Sequence, residues 1–499
     1  EDRVFRFWDR WLTGGEVHHV FVVDVETGAA RDLTPASDQW FDLMDPAGDL
    51  DVAPGGDEIA YCANVTEPPY ATLRAGIHTV PLAGGAPRCV SAAETSDARR
   101  PRYSPDGRWL VYGAKRDPQN YADRVVLVRL DRTTGERAPL TEAWDLSPVG
   151  WEFSGPDTLL IEVVARGRTR LCRLSVAEGG APELVVEGGT LHGARPASDG
   201  FVYVQHSTFA RPPEVARVRA AGGAVEVLTR FTADAGLDLG RVEEIGFAGG
   251  GGDPIHMYVV FPPGHEPGRP LPLVQILHGG PYGAHVDGWS WRWNVHVFAA
   301  PGRALALVNF HGSESYGERF SNAIRVDWGG KAADDVLLAT DLLVARGIAD
   351  PARLALAGGS FGGYMASWLP TRTDRFVCTV VHAPVYNLAG ICATDVTQGF
   401  EDDLGGEPWA TPGSLAAIDR WNPAAHAGGY RTPTLVTHGE KDFRCTVQNG
   451  LELYGMLVAK GVPARLAHYP DEGHWIQKRR NSLHWWGEVL GWLGRWLQA

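Results

Sequence analysis

RLALAGGSFGGYM, residues 353–365, reads as an apolar strand, a glycine-rich turn and the opening of a helix, with Ser360 flanked by Gly358, Gly359, Phe361 and Gly362. A serine on so sharp a turn has a strained backbone where strand and helix nearly touch, and only small residues fit two places before and after it. Gly358 and Gly362 leave that room. The run therefore predicts an exposed nucleophile at the edge of a sheet, in a domain of alternating strands and helices.

Short apolar runs suited to strands buried on both faces lie on either side: LPLVQIL (271–277), ALALVNF (304–310), VCTVV (377–381), PTLVTH (433–438) and a run near 465–469. Helical stretches separate them, which predicts a mostly parallel sheet over 246–499. A serine hydroxyl is a poor nucleophile at neutral pH; it needs a base, and the base needs a carboxylate to hold its tautomer. Asp442, in HGEKDFRC, follows the strand 433–438, and His474, in PDEGHW, follows the next one, so both reach the same sheet edge. Glu440, Asp471 and Glu472 are the competing carboxylates. An oxyanion needs two aimed N–H donors. The Phe361 backbone supplies one, and Gly280 in HGGPYG (278–283) supplies the other, with His278 ordering that loop.

Two further stretches of this half carry structural expectations. Gly249 to Gly252 read as a hairpin turn, since no Lys or helix start follows as a phosphate loop would need. The closing SLHWWGEVLGWLGRWL places Leu483, Trp486, Leu490, Leu493 and Leu497 on one helical face beside a stripe of Trp485, Val489, Trp492 and Trp496. Most of that face is expected in the core.

Before about residue 245 the pattern differs. One phrase, a turn of Pro, Gly and Asp before a β-rich run, recurs as APGGDEIAYCA (53–63), SPDGRWLVYGA (104–114), SGPDTLLIEVV (154–164) and ASDGFVYVQHS (197–207). A period of about 43 to 51 residues with short strands is the signature of a β-propeller. Residues 1–245 hold about four blades plus a partial one, HVFVVDVETGAARDLT, so the propeller is expected to be incomplete in this chain. The missing blades are expected either to be absent or to sit on a separate N-terminal fragment that completes the ring.

The 499 residues carry 46 Lys plus Arg against 60 Asp plus Glu, a net charge of −14, which argues against a nucleic-acid partner. No apolar stretch reaches the roughly 20 residues that a membrane-spanning helix needs. Six scattered cysteines suggest neither a disulfide framework nor a zinc site, and a cytoplasmic location is expected.

A propeller followed by GGSFGGY, HGEKDFR and YPDEGH resembles the prolyl oligopeptidase family of serine peptidases, over nearly the whole chain. HGGP at the oxyanion loop resembles the acylaminoacyl-peptidase branch. GGPYGAHVDGWSWRWN and NFHGSESYG resemble the dipeptidyl-peptidase 5 group, in which a His precedes the Gly-Ser pair as His311 does here. The resemblance implies an N-terminal β-propeller and an α/β-hydrolase domain, and a homo-oligomer that needs no metal or organic cofactor. It implies that Ser360 attacks a carbonyl of a short peptide, that His474 carries the proton and that Asp442 orients His474. The activity expected is an acylaminoacyl-peptidase-like serine exopeptidase, with dipeptidyl-peptidase 5-like, carboxypeptidase and carboxylesterase activities as alternatives. Candidate substrate-binding residues are His311, Glu314 and Tyr282. A free amino end would need a carboxylate such as Glu314, and a free carboxyl end would need cations such as Arg99, Arg100 and Arg102.

Overall fold

Each of the four repeated turns joins the first and second strands of one antiparallel sheet. The structure is a computed structural model that describes residues 4–41, 48–67, 73–91, 96–232, 236–394 and 400–498. Four four-stranded antiparallel sheets follow one another along the chain, their second strands being Glu58–Asn64, Trp109–Lys115, Thr158–Ala165 and Phe201–Thr208. A two-stranded pair, Phe21–Val23 with Ala30–Asp32, stands where the partial blade was expected.

Alternation along these strands puts one set of side chains on each face, and consecutive sheets bury those sets against one another. Trp109, Val111 and Leu127 of one sheet pack with Trp151, Phe153 and Ile161 of the next. Leu160 and Leu171 then meet Leu191, Val202 and Val204. Gly113 allows the close approach, because a Cβ there would lie 2.6 Å from the Trp151 ring.

The chain divides into two compact units. The first contains the blades, ending at Arg230; the second runs from Phe231 and also takes in Thr208–Pro212 and the short segment Arg6–Trp11. The expected boundary at 245/246 falls inside a strand of the second unit, Val242–Ala248.

That unit is built on one eight-stranded sheet. Its strands are β1 (Val242–Ala248), β2 (Pro254–Val260), β3 (Leu271–Leu277), β4 (Ala304–Asn309), β5 (Ala349–Gly359), β6 (Cys378–His382), β7 (Thr434–Gly439) and β8 (Ala464–Tyr469), in the spatial order β1-β2-β4-β3-β5-β6-β7-β8. β1 and β2 form an antiparallel hairpin closed by the Gly250–Gly252 turn. From β4 to β8 every pairing is parallel, and the strands inside this run are largely buried on both faces, since helices cover them, whereas the edge strand β8 exposes Arg465 and His468. Among those helices are α1 (Lys331–Ala345), α2 (Phe361–Trp368), α3 (Val447–Ala459) and α4 (Arg479–Leu497).

α4 departs from the expected pattern. Trp485, Val489, Trp492, Leu493 and Leu497 are buried, whereas Leu483 is 64% exposed. The face defined by Trp485 is the one laid on the sheet, with Leu493 and Leu497 joining it at the far end. Among the described residues, no helix is long and apolar enough to cross a membrane.

Candidate active site

β5 ends at Gly359, and α2 begins at Phe361, leaving Ser360 alone on the turn with φ +60° and ψ −122°. That conformation is disfavoured for any residue with a Cβ, so the surroundings must enforce it. They do so by proximity: a Cβ on Gly358 would lie 2.3 Å from the Gly362 carbonyl oxygen, and one on Gly362 would lie 2.1 Å from that of Leu277. The Ser360 N–H donates to the His382 carbonyl at 3.0 Å, which pins the turn to the end of β6.

The candidate acid and base come from the loops after β7 and β8. His474 Nδ1–H donates to Asp442 Oδ2 at 2.7 Å, leaving Nε2 as the ring's basic nitrogen. Asp442 is 1% exposed and also accepts the Cys445 N–H at 2.8 Å on its other oxygen. His438 Nε2 lies 3.2 Å from the same carboxylate while donating to the Cys445 carbonyl. Burial by itself would raise the Asp442 pKa; His474 and His438 outweigh it and hold it below the usual carboxylate range. The competing carboxylates are engaged elsewhere: Glu440 with His468, Asp471 with Lys478, and Glu472 with the backbone of Gln477 and Lys478.

Ser360 Oγ lies 4.0 Å from Cys445 Sγ, and among the described residues it makes no hydrogen bond to His474. Phe361 opens α2, so its N–H is one of the helix donors without an intrahelical acceptor. The Gly280 N–H donates to no acceptor among the described residues. Its loop runs beside the nucleophile, since a Cβ on Gly279 would lie 3.3 Å from Ser360 Cβ. His278 orders that loop through Nδ1 to the Gly279 carbonyl and Nε2 to Ser313 Oγ, and burial pushes it down to about 3.

Two candidate substrate residues are placed differently from expectation. His311 is fully buried, with Nδ1 on Asp335 at 2.7 Å and Nε2 on Asp253 at 3.1 Å. Both nitrogens are taken, so it braces the scaffold instead of reaching a ligand. Burial opposes its charge, but Asp335 and Asp253 prevail, and its pKa is raised. Tyr282 is 8% exposed and spends its hydroxyl on the buried Asp403 at 2.7 Å. Glu314 is exposed on the loop after β4. Of the three arginines, all in the first unit, Arg99 pairs with Asp97 and Arg102 donates to the Gly48, Leu50 and Pro101 carbonyls, while Arg100 lies over Trp151 at 5.5 Å.

His382 had no motif to announce it, yet it touches both Ser360 and His474 of the candidate site. Its carbonyl holds Ser360, and its Nε2–H donates to the His474 carbonyl at 3.2 Å. Nδ1 accepts the Thr437 hydroxyl at 2.8 Å, and that hydroxyl in turn accepts Trp485 Nε1–H from α4 at 3.2 Å. Burial, followed by the neighbouring His474 and His438, pushes His382 down to about 3 and keeps it neutral.

Comparison with known proteins gives a consistent picture. The model of the prolyl oligopeptidase family matches residues 289–499. The chain is 29% identical to dipeptidyl-peptidase 5 of Schizosaccharomyces pombe, over 99% of this chain and 74% of that protein. Among solved structures it is similar to an acylaminoacyl peptidase in complex with Z-Gly-Gly-Phe-chloromethyl ketone (TM-score 0.83, 19% identity, 100% of this chain and 77% of that one). A puromycin-hydrolyzing peptidase of Mycobacterium tuberculosis has a TM-score of 0.74 at 22% identity, over 99% of this chain and 84% of its own. The blades, the sheet order, the strained serine turn and these likenesses agree: residues 289–499 match the prolyl oligopeptidase family of serine peptidases, and the chain as a whole is similar to proteins of that fold.

Proposed function

We propose that this protein is a serine exopeptidase of short peptides that works through an acyl-enzyme. The observation that carries the reading is the Asp442–His474 pair, at 2.7 Å, on the sheet edge that presents Ser360 in its strained turn. Ser360 Oγ attacks the scissile carbonyl and His474 Nε2 takes its proton. Asp442 stays ionised and stabilises the imidazolium. The Phe361 and Gly280 N–H groups receive the developing oxyanion. His474 then gives its proton to the leaving amine, and water, activated by the same nitrogen, releases the acyl group.

Two specificities have support in the comparisons. Dipeptide release from a free amino end follows the name of the fungal relative, similar along nearly the whole chain. Release of an acylated residue follows the name of a solved structure with the same fold. Glu314, exposed after β4, is the carboxylate proposed to meet a free amino group.

Mass spectrometry of products from three matched peptides, one N-acetylated, one with both ends free and one C-terminally amidated, separates these readings. Dipeptides from free amino ends mean dipeptidyl release, and a requirement for the acetyl group means acylaminoacyl release. Loss on amidation means a carboxypeptidase. Turnover by Ser360→Ala close to wild type would sink the nucleophile assignment.

A further inference from the structure

Within the second unit a short hairpin, distant in sequence from every catalytic residue, touches the loops that carry the acid and the base. Arg6 pairs with Trp11 and Phe7 with Arg10, leaving Trp8 and Asp9 as a two-residue tip. Trp8 has φ +60°, in the left-handed region where such a loop normally carries Gly, Asn or Asp. A bulky residue held there against local preference points to a task for its side chain.

The Trp8 ring meets the His474 imidazole at 5.0 Å and 74°, and the Trp475 ring at 5.0 Å and 70°, both edge-to-face. The Trp8 carbonyl accepts the N–H of Phe443, the residue after Asp442, at 2.8 Å. Asp9 presses on the base loop, where a Cβ on Gly473 would lie 2.9 Å from Asp9 Cβ. The stem grips the acid loop as well: Trp11 packs on Phe443 at 5.0 Å, and the Arg6 guanidinium lies over the same ring at 5.0 Å while its Nε donates to the Thr394 carbonyl. His474 is left 5% exposed.

We propose that the Arg6–Trp11 hairpin is a strap that holds the acid and base loops in register, with Trp8 as the positioning residue that fixes the His474 ring. The ring must stay aimed while it takes a proton from Ser360 and passes it to the leaving group. A misplacement of about 1 Å from outside the reacting groups can cost up to about 100-fold in rate. The inference rests on the reading of Ser360, His474 and Asp442 as a triad.

The test compares wild type, Trp8→Gly, Trp8→Phe, Trp11→Ser and Ser360→Ala by the rate of fluorophosphonate labelling and by kcat and KM on the peptide that wild type cleaves. Trp8→Gly supplies the residue the turn prefers while removing the ring, so the hairpin is kept. Expected are a fall of about 10-fold or more in labelling rate and kcat with KM within about twofold, and recovery in Trp8→Phe to within about threefold of wild type. Trp11→Ser, at an exposed position on the stem, should lower both rates in the same direction. Wild-type labelling rate and kcat in Trp8→Gly and Trp11→Ser would overturn the proposal; so would a Trp8→Phe loss equal to that of Trp8→Gly, or an effect on KM alone. Wild type that is not labelled, or is labelled as fast as Ser360→Ala, would instead overturn the triad itself.

Discussion

At Gly362 one added methyl group would meet the Leu277 carbonyl oxygen at 2.1 Å, and neither partner can yield, because one opens α2 and the other ends β3. Gly362→Ala should therefore destabilise the fold by about 3 kcal/mol or more, read from denaturant midpoints. A loss under 1 kcal/mol would mean that strand and helix are not so close. The neighbouring clash, a Cβ on Gly358 against the Gly362 carbonyl oxygen at 2.3 Å, lies within five consecutive residues and made the turn at Ser360 legible in the sequence. Chain order and strand ends singled out Asp442 and His474, which the structure brings together. His311 was misread because the carboxylates that claim it, Asp253 and Asp335, lie on other elements. His382 carries no local signature, and Trp8 meets His474 across most of the chain, a contact that no pattern of spacing records.

At the scale of the element, α4 offers a paired prediction. Trp485→Ala empties a buried site and removes the donor that orients Thr437, so it should cost about 3 to 5 kcal/mol and also slow labelling of Ser360. Leu483→Ala, on the exposed side, should stay within about 0.5 kcal/mol of wild type. Gly487 sits inside the same helix with nothing within 4 Å of an added Cβ, and Gly487→Ala should stabilise by about 0.5 to 1 kcal/mol. Thermal unfolding of the three variants checks the set, and equal losses at 483 and 485 would contradict the burial described. Periodicity revealed an apolar helix here but not which stripe faces inward. A helix apolar over more than half its circumference has several admissible orientations, and the sheet beneath selects among them.

For the whole molecule, acid is the informative perturbation. His278 and His382 are buried, neutral and pushed down to about 3, so below their ordinary value of 6.5 the unfolded chain binds protons that the folded chain refuses. Stability should therefore fall as pH drops from about 6.5 towards 3, by up to about 2.7 kcal/mol per pH unit for two such groups. Asp442 adds to the loss at the acid end, since its pKa is lowered and its contribution vanishes as it protonates. His311, with a raised pKa, acts oppositely: its contribution is complete below 6.5 and is lost as pH rises through its folded value. Urea unfolding between pH 4 and 8 checks this, and a stability flat from pH 6.5 to 4 would refute the buried neutral histidines. The repeat of the first half and the alternation of the second were both legible, because each is a period written many times over. The segment Arg6–Trp11 was assigned with its sequence neighbours, since membership of a unit is decided by packing.

The proposed oxyanion glycine, nucleophile, acid and base stand at positions 280, 360, 442 and 474, each after a different strand of the parallel part of one sheet. Pairings so distant along the chain form late in folding. Until these loops are brought together the chain holds an ordinary serine and an ordinary histidine. Recovery of Ser360 reactivity after dilution from denaturant would therefore report when the four loops have come together, which long-range contacts make slow.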